Sequence, residues 1–203
     1  MEAIREPGAK LLIATQKVFS YVFDDAFDYI VIPQLTALVS SADFQTTERL
    51  WYQLEKLADF EPKLMSIQTY QPDEQIQAIA KQDYEKIYQN ELKAREMFAY
   101  PPFSKIVKLT FSHPNLSKVR QETRMAIEKL KMAAVHLGIK DGVRVSESSP
   151  LFLKKEKGAY VYTLIIKALP ASATAGPDTG QLREFLRFVP SHWFIDIDPR
   201  SIL

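Results

Sequence analysis

The sequence predicts a mixed α/β fold in two parts, the second of them a β-α-β-β-α-β sandwich of the split βαβ type. Three observations lead there. Short apolar runs alternate with stretches of helical periodicity along the whole chain. A proline pair, Pro101-Pro102, interrupts the chain near its middle. Charge also divides there: residues 1–99 hold 10 Lys/Arg against 16 Asp/Glu, and residues 100–203 hold 16 against 9, so a half of net −6 precedes a half of net +7.

The elements follow in order. Leu11-Leu12-Ile13-Ala14 is a short apolar run and reads as a buried strand; Tyr29-Ile30-Val31-Ile32 is a second, stopped by Pro33. From Ser41 to Ala58 the pattern is helical, with Leu50, Leu54 and Leu57 on one face. Leu64 to Tyr70 reads as a third strand, broken by Gln71-Pro72-Asp73, where Asp73 is placed to cap the next helix. Residues 74–98 are helical, with Asp83 able to cap a new helix and divide the stretch. Ser104 to Phe111 alternates as a strand. Asn115 caps a helix whose buried stripe runs Leu116, Val119, Ala126, Ile127, Leu130, Ala134 and Leu137, and Gly138 sits where a left-handed C-terminal cap belongs. Val143 to Glu147 is a short strand. Phe152-Leu153 and Tyr160 to Ala168 form a hairpin around Lys154 to Gly158. Pro170 to Gly180 is a loop, Gln181 to Phe188 a short helix and Trp193 to Ile197 a last strand. That order is ferredoxin-like, an architecture that hosts many functions.

Composition removes several classes of chemistry. With 46% hydrophobic and 25% charged residues, 203 residues can bury a sizeable core. The absence of cysteine excludes disulfides and thiolate metal sites, and His113, His136 and His192 stand at no metal-ligand spacing. No apolar run approaches the roughly 18 residues of a membrane span, and the opening Met1 to Pro7 lacks a basic, then apolar, leader, so a cytoplasmic location is expected. Neither G-x-x-x-x-G-K-[ST] nor G-x-G-x-x-G occurs, and no cofactor is expected. Asp196 and Asp198 share a strand face and read as a polar edge rather than a metal pair; Trp51 and Trp193 read as core anchors.

The hairpin carries the candidate contact chemistry. Lys154, Lys155 and Lys157 would stand on a protruding turn, with Tyr160 and Tyr162 following; lysines meet phosphates and aromatic rings stack unpaired bases. The same residues also suit a solvated hairpin tip. Arg183 and Arg187, four apart on a helix, extend the patch, whereas Arg120 and Arg124 read as solvent-facing.

Three segments together resemble a known family. Tyr84, Tyr88, Glu91-Leu92, Arg95 and Tyr100-Pro101-Pro102-Phe103 form the first, and the terminal Ile195-Asp196-Ile197-Asp198-Pro199-Arg200-Ser201-Ile202-Leu203 the second. Both are similar to the carboxy-terminal domain of the primosomal protein N′ family of replication-restart helicases. Upstream, Leu12-Ile13-Ala14-Thr15-Gln16, Asp43-Phe44, Glu48-Arg49 and Ile67-Gln68-Thr69-Tyr70-Gln71-Pro72 resemble the end of that family's second helicase lobe, in matching order. The resemblance covers almost the whole chain.

The departures shape what it implies. Ser20 and Tyr21 stand where the family has Lys-Gly, Gln34, Leu35 and Thr36 where it has Asp-Ala-Asp, and residues 56–63 contain no arginine where it has its arginine motif. A transition-state arginine contributes on the order of 10³ to 10⁵ in rate. The resemblance therefore implies a degenerate RecA-like lobe remnant over 1–72, a helical connector over 73–99 and the carboxy-terminal-like domain over 100–203. It also implies binding of forked or single-stranded DNA without catalysis, a contact that the reading of the hairpin and the following helix places on Lys154, Lys155, Lys157, Tyr160 and Arg187. A protein-interaction role, with Gln181 and Arg183 contacting a helicase subunit or a single-stranded-DNA-binding protein, is the alternative, as is one part of a split ATP-dependent helicase.

Overall fold

A computed structural model describes residues 11–20, 27–33, 43–70, 74–146, 153–170 and 176–202. The chain divides into two compact units. One comprises residues 1–40 and 47–72, the other residues 41–46 and 73–203.

The first unit holds strand β1 (Tyr29–Ile32), most of helix α1 (Thr46–Ala58) and strand β2 (Leu64–Ile67). β1 and β2 pair in parallel, Tyr29 against Leu64 through Ile32 against Ile67. Parallel strands need a long crossover, and the segment containing α1 supplies it. The strand expected at Leu11–Ala14 is absent: this run has no regular structure, Leu11 and Ile13 are each 87% exposed, and a 3₁₀ turn at Gln16–Ser20 follows. A strand needs a ladder partner, and none of the described strands pairs with it. β2 ends at Ile67, three residues before the expected Tyr70.

The second unit opens with helices α2 (Glu74–Ala80) and α3 (Tyr84–Met97). Asp83 separates them as expected, its carboxylate accepting the Lys86 backbone N–H. The Asp73 cap lies outside the described residues. Strand β3 (Lys105–His113) then leads into helix α4 (Leu116–His136). Asn115 caps α4 by accepting from the Ser117 and Lys118 N–H groups. At its other end Gly138 takes φ +69°, Gly138 N–H reaches Val135 O and Ile139 N–H reaches Ala134 O, the paired closure of a left-handed cap. Strands β4 (Val143–Val145), β5 (Leu153–Glu156) and β6 (Ala159–Ala168) follow, then helix α5 (Thr179–Leu186) and strand β7 (Phe194–Ile197).

The sheet runs β4-β6-β3-β7, all neighbours antiparallel, with β5 sharing the β4 edge of β6. Its two faces are used differently. Val107, Leu109, Phe111, Leu164 and Ile166 pack against Val119, Ala126, Leu130 and Ala134 of α4 and against Leu182 and Phe185 of α5. At one end of the opposite face Ile106 and Ile165 are closed over by Phe44, Ile202 and Tyr100. Arg95 holds that cover in place: its guanidinium donates to Glu91, to Pro101 O at 3.3 Å and to Phe44 O at 3.5 Å.

Candidate nucleic-acid interface

The hairpin tip is tighter than the sequence pattern implies. Glu156 pairs with Ala159, leaving Lys157 and Gly158 as a two-residue turn, both at positive φ (+46° and +85°). This mirror-image turn matches the right-handed twist of its strands. Glycine meets that geometry without strain, and Lys157 adopts it at a cost of about 1–2 kcal/mol.

Lys154 and Lys155 consequently belong to strand β5 rather than to the turn. All three hairpin lysines are exposed. Consecutive strand residues point to opposite faces. Lys155 pairs with Tyr160 on the helix-bearing face, its ammonium 5.3 Å from the tyrosine ring centroid, while Lys154 pairs with Val161 on the other. The lysines therefore straddle a ribbon and do not form one flat patch, a distinction invisible to composition but fixed by strand register.

Connectivity gathers further groups at this end of the sheet. His113, the last residue of β3, pairs with Tyr160, so α4 starts beside the hairpin. α5 runs between the far end of β6 and the start of β7, which pairs through Phe194 with Thr110. Its C-terminal cap, Arg187, therefore lies at the hairpin end and is exposed. An aromatic cluster stands there too: Phe111 stacks on Trp193 at 5.4 Å and meets His192 edge-on at 5.2 Å, and His192 lies 3.1 Å from Glu122. The two partner-contact candidates differ. Arg183 is exposed, whereas Gln181 is occupied in a capping box: its side chain accepts the Asp178 N–H while Asp178 accepts the Gln181 N–H.

In the first unit, both lysines of residues 56–63 stand against carboxylates. Lys56 pairs with Asp59 at 3.0 Å and Lys63 with Asp28 at 2.6 Å. Both lysine pKa values are raised, each chiefly by its hydrogen bond to that carboxylate and then by the carboxylate charge. Gln34, Leu35 and Thr36 lie outside the described residues. Among the described residues no cluster of His, Asp or Glu has a metal-holding arrangement, and no helix is long and apolar enough to cross a membrane.

Comparison with known proteins adds a lineage. Residues 96–200 match the family described as the Primosomal protein N C-terminal domain. The chain is 27% identical over 176 residues, 80% of its length, to the Replication restart protein PriA of Rickettsia felis. It is 22% identical to the PriA of Bacillus subtilis over its full length, and 29% identical over 133 residues to that of Borreliella burgdorferi. It spans only about a quarter of the first two relatives, 25% and 24% of their lengths.

Proposed function

The chain belongs to the primosomal protein N C-terminal domain family, and from that premise we propose that it serves replication restart as a DNA-binding protein without motor activity. The β-α-β-β-α-β order with strand sequence β7-β3-β6-β4/β5 supports a ferredoxin-like assignment for the second unit. The parallel β1–β2 pair with its α1 crossover supports reading the first as a helicase-lobe remnant. The observation that carries the binding role is the exposed basic ribbon: Lys154, Lys155 and Lys157 at the hairpin, with Tyr160 beside Lys155 and Arg187 at the same end of the sheet. Phosphate neutralisation supplies most nonspecific nucleic-acid affinity, and a ribbon with cations on both faces suits a groove or a fork junction better than a flat surface.

Fluorescence anisotropy with a labelled DNA fork at low salt tests this reading. Binding at micromolar protein, weakening steeply with added salt, is expected; unchanged anisotropy defeats it. The absence of motor activity is supported by Lys56 and Lys63, the cations of the segment that replaces the arginine motif, each facing a carboxylate. DNA-stimulated ATP hydrolysis by the purified chain would overturn that half.

A second reading draws on the first unit's sheet. Its two parallel strands expose Tyr29, Val31 and Leu64. Parallel sheets are normally covered on both faces, so this remnant fits a part that docks on a helicase subunit. Co-purification that survives nuclease would favour that role, and loss on nuclease treatment would favour binding through DNA.

A further inference from the structure

Helix α4 divides its charge by flank. Val119, Thr123, Ala126, Leu130 and Ala134 face the core. Glu122 lies on one side of that stripe, where it meets His192 ahead of β7. On the other side Ser117, Arg120, Gln121, Arg124, Glu128 and Lys131 recur at helical spacing and form one open polar flank. Arg120, Arg124 and Glu128 are exposed. This flank is turned away from β7, the strand at the far edge of the sheet from β4 and β5. The start of α4 sits beside the hairpin because His113 pairs with Tyr160, and Lys155 stands on the same, helix-bearing face.

We infer that a nucleic-acid backbone lies along this α4 flank, with Arg120, Arg124 and Lys131 as its phosphate contacts and Lys155 continuing the track at the hairpin. The inference rests on the DNA-binding reading above and names its surface. Arg120 and Lys131 are eleven residues apart, about 16 Å along a helix at 1.5 Å per residue. That is the axial run of about five base pairs at 3.4 Å each, so the three cations can reach separate phosphates of one strand along it. Guanidinium groups suit phosphate oxygens through paired donors, and Ser117 and Gln121 add neutral ones. Glu128 is the single carboxylate on the flank and opposes the ligand. Lys154 faces the other side of the sheet and lies off the track.

The test uses the full chain and labelled single-stranded and duplex 20-mers across a salt series. The double variant Arg120→Ala/Arg124→Ala is expected to weaken binding by at least about tenfold at 50 mM salt and to lower the slope of log K against log salt by about 1.4 to 1.8. Arg120→Lys/Arg124→Lys should keep most of that slope. Glu128→Gln should bind more tightly than the parent, a gain that misfolding cannot produce. Thermal melts control for the fold in each case. If the parent binds and the double alanine variant keeps its affinity and slope, while Lys154→Ala/Lys155→Ala/Lys157→Ala loses both, this surface is wrong and the DNA-binding reading stands. If the parent binds neither DNA, both fail. Binding of polyglutamate along this flank, with no DNA binding, would assign it to an acidic protein instead and overturn the inference.

Discussion

The ammonium of Lys167 stands 3.8 Å from the centroid of the Tyr100 ring and donates to the Phe98 carbonyl at 2.7 Å. The same ring stacks on Phe44, centroids 5.4 Å apart. One side chain from the Tyr-Pro-Pro-Phe segment thus joins β6 to the cover over Ile106 and Ile165. Replacing Tyr100 by leucine keeps bulk but removes the ring face. A loss of about 1–2 kcal/mol is expected in a urea titration, from the cation–π and stacking contributions together.

Lys167 is itself under opposing influences. Burial, and then the Arg144 guanidinium, push its pKa below the ordinary lysine value, while the carbonyl and the ring favour the ammonium. Because the folded pKa lies below the unfolded one, the unfolded chain binds more protons between the two. This lysine's contribution to stability therefore improves as pH rises through that window, which ends near 10.5. Arg144→Gln should move the Lys167 pKa upward and narrow the window. Direct NMR titration of the lysine separates this from Tyr100, whose hydroxyl is pushed up by burial and then by Asp43; an unmoved value would show that Arg144 is not the cause.

At the far end of α4, Gly138 has no atom within 4 Å of the position a Cβ would take, so only its φ of +69° resists substitution. Gly138→Ala is expected to cost about 1 kcal/mol, and Gly138→Asn less, because asparagine tolerates the left-handed region better. Equal losses for both would point to a steric cause.

Gln181 offers a contrast between structure and contact. Its capping-box bond predicts that Gln181→Ala lowers stability by about 0.5–1 kcal/mol, while Arg183→Ala, exposed and outside that box, leaves stability nearly unchanged. Denaturant midpoints check the pair. The reverse order would show that the capping box contributes little to stability.

The legible parts of this chain were those dictated by local chemistry. Asn115 and Gly138 bracket α4 where capping rules put them, Asp83 divides the connector, and the hairpin joins the strands expected of it. What escaped depends on partners distant in sequence. Leu11–Ala14 looks like a strand because four apolar residues in a row fit one, yet no described strand pairs with it. Lys154 and Lys155 look like one patch until the pairing with Val161 and Tyr160 sends them apart. Arg120 and Arg124 are exposed, as their spacing on the helix suggested. Thr123 sits among the core-facing residues of α4, where periodicity favours an apolar side chain.

Phe44 has a consequence for anyone dissecting the molecule. It reaches Ile106, Ile165 and Ile202 from residues 41–46, which belong to the second unit although residues 47–72 return to the first. The covalent thread thus passes between the units more than once. A truncation beginning at Asp73 would keep every strand of the larger sheet and still strip Phe44 from the cover over Ile106 and Ile165, leaving only Tyr100 and Ile202 there. An autonomous fragment has to carry residues 41–46 along, and with them the intervening residues 47–72 that hold the rest of α1 and β2.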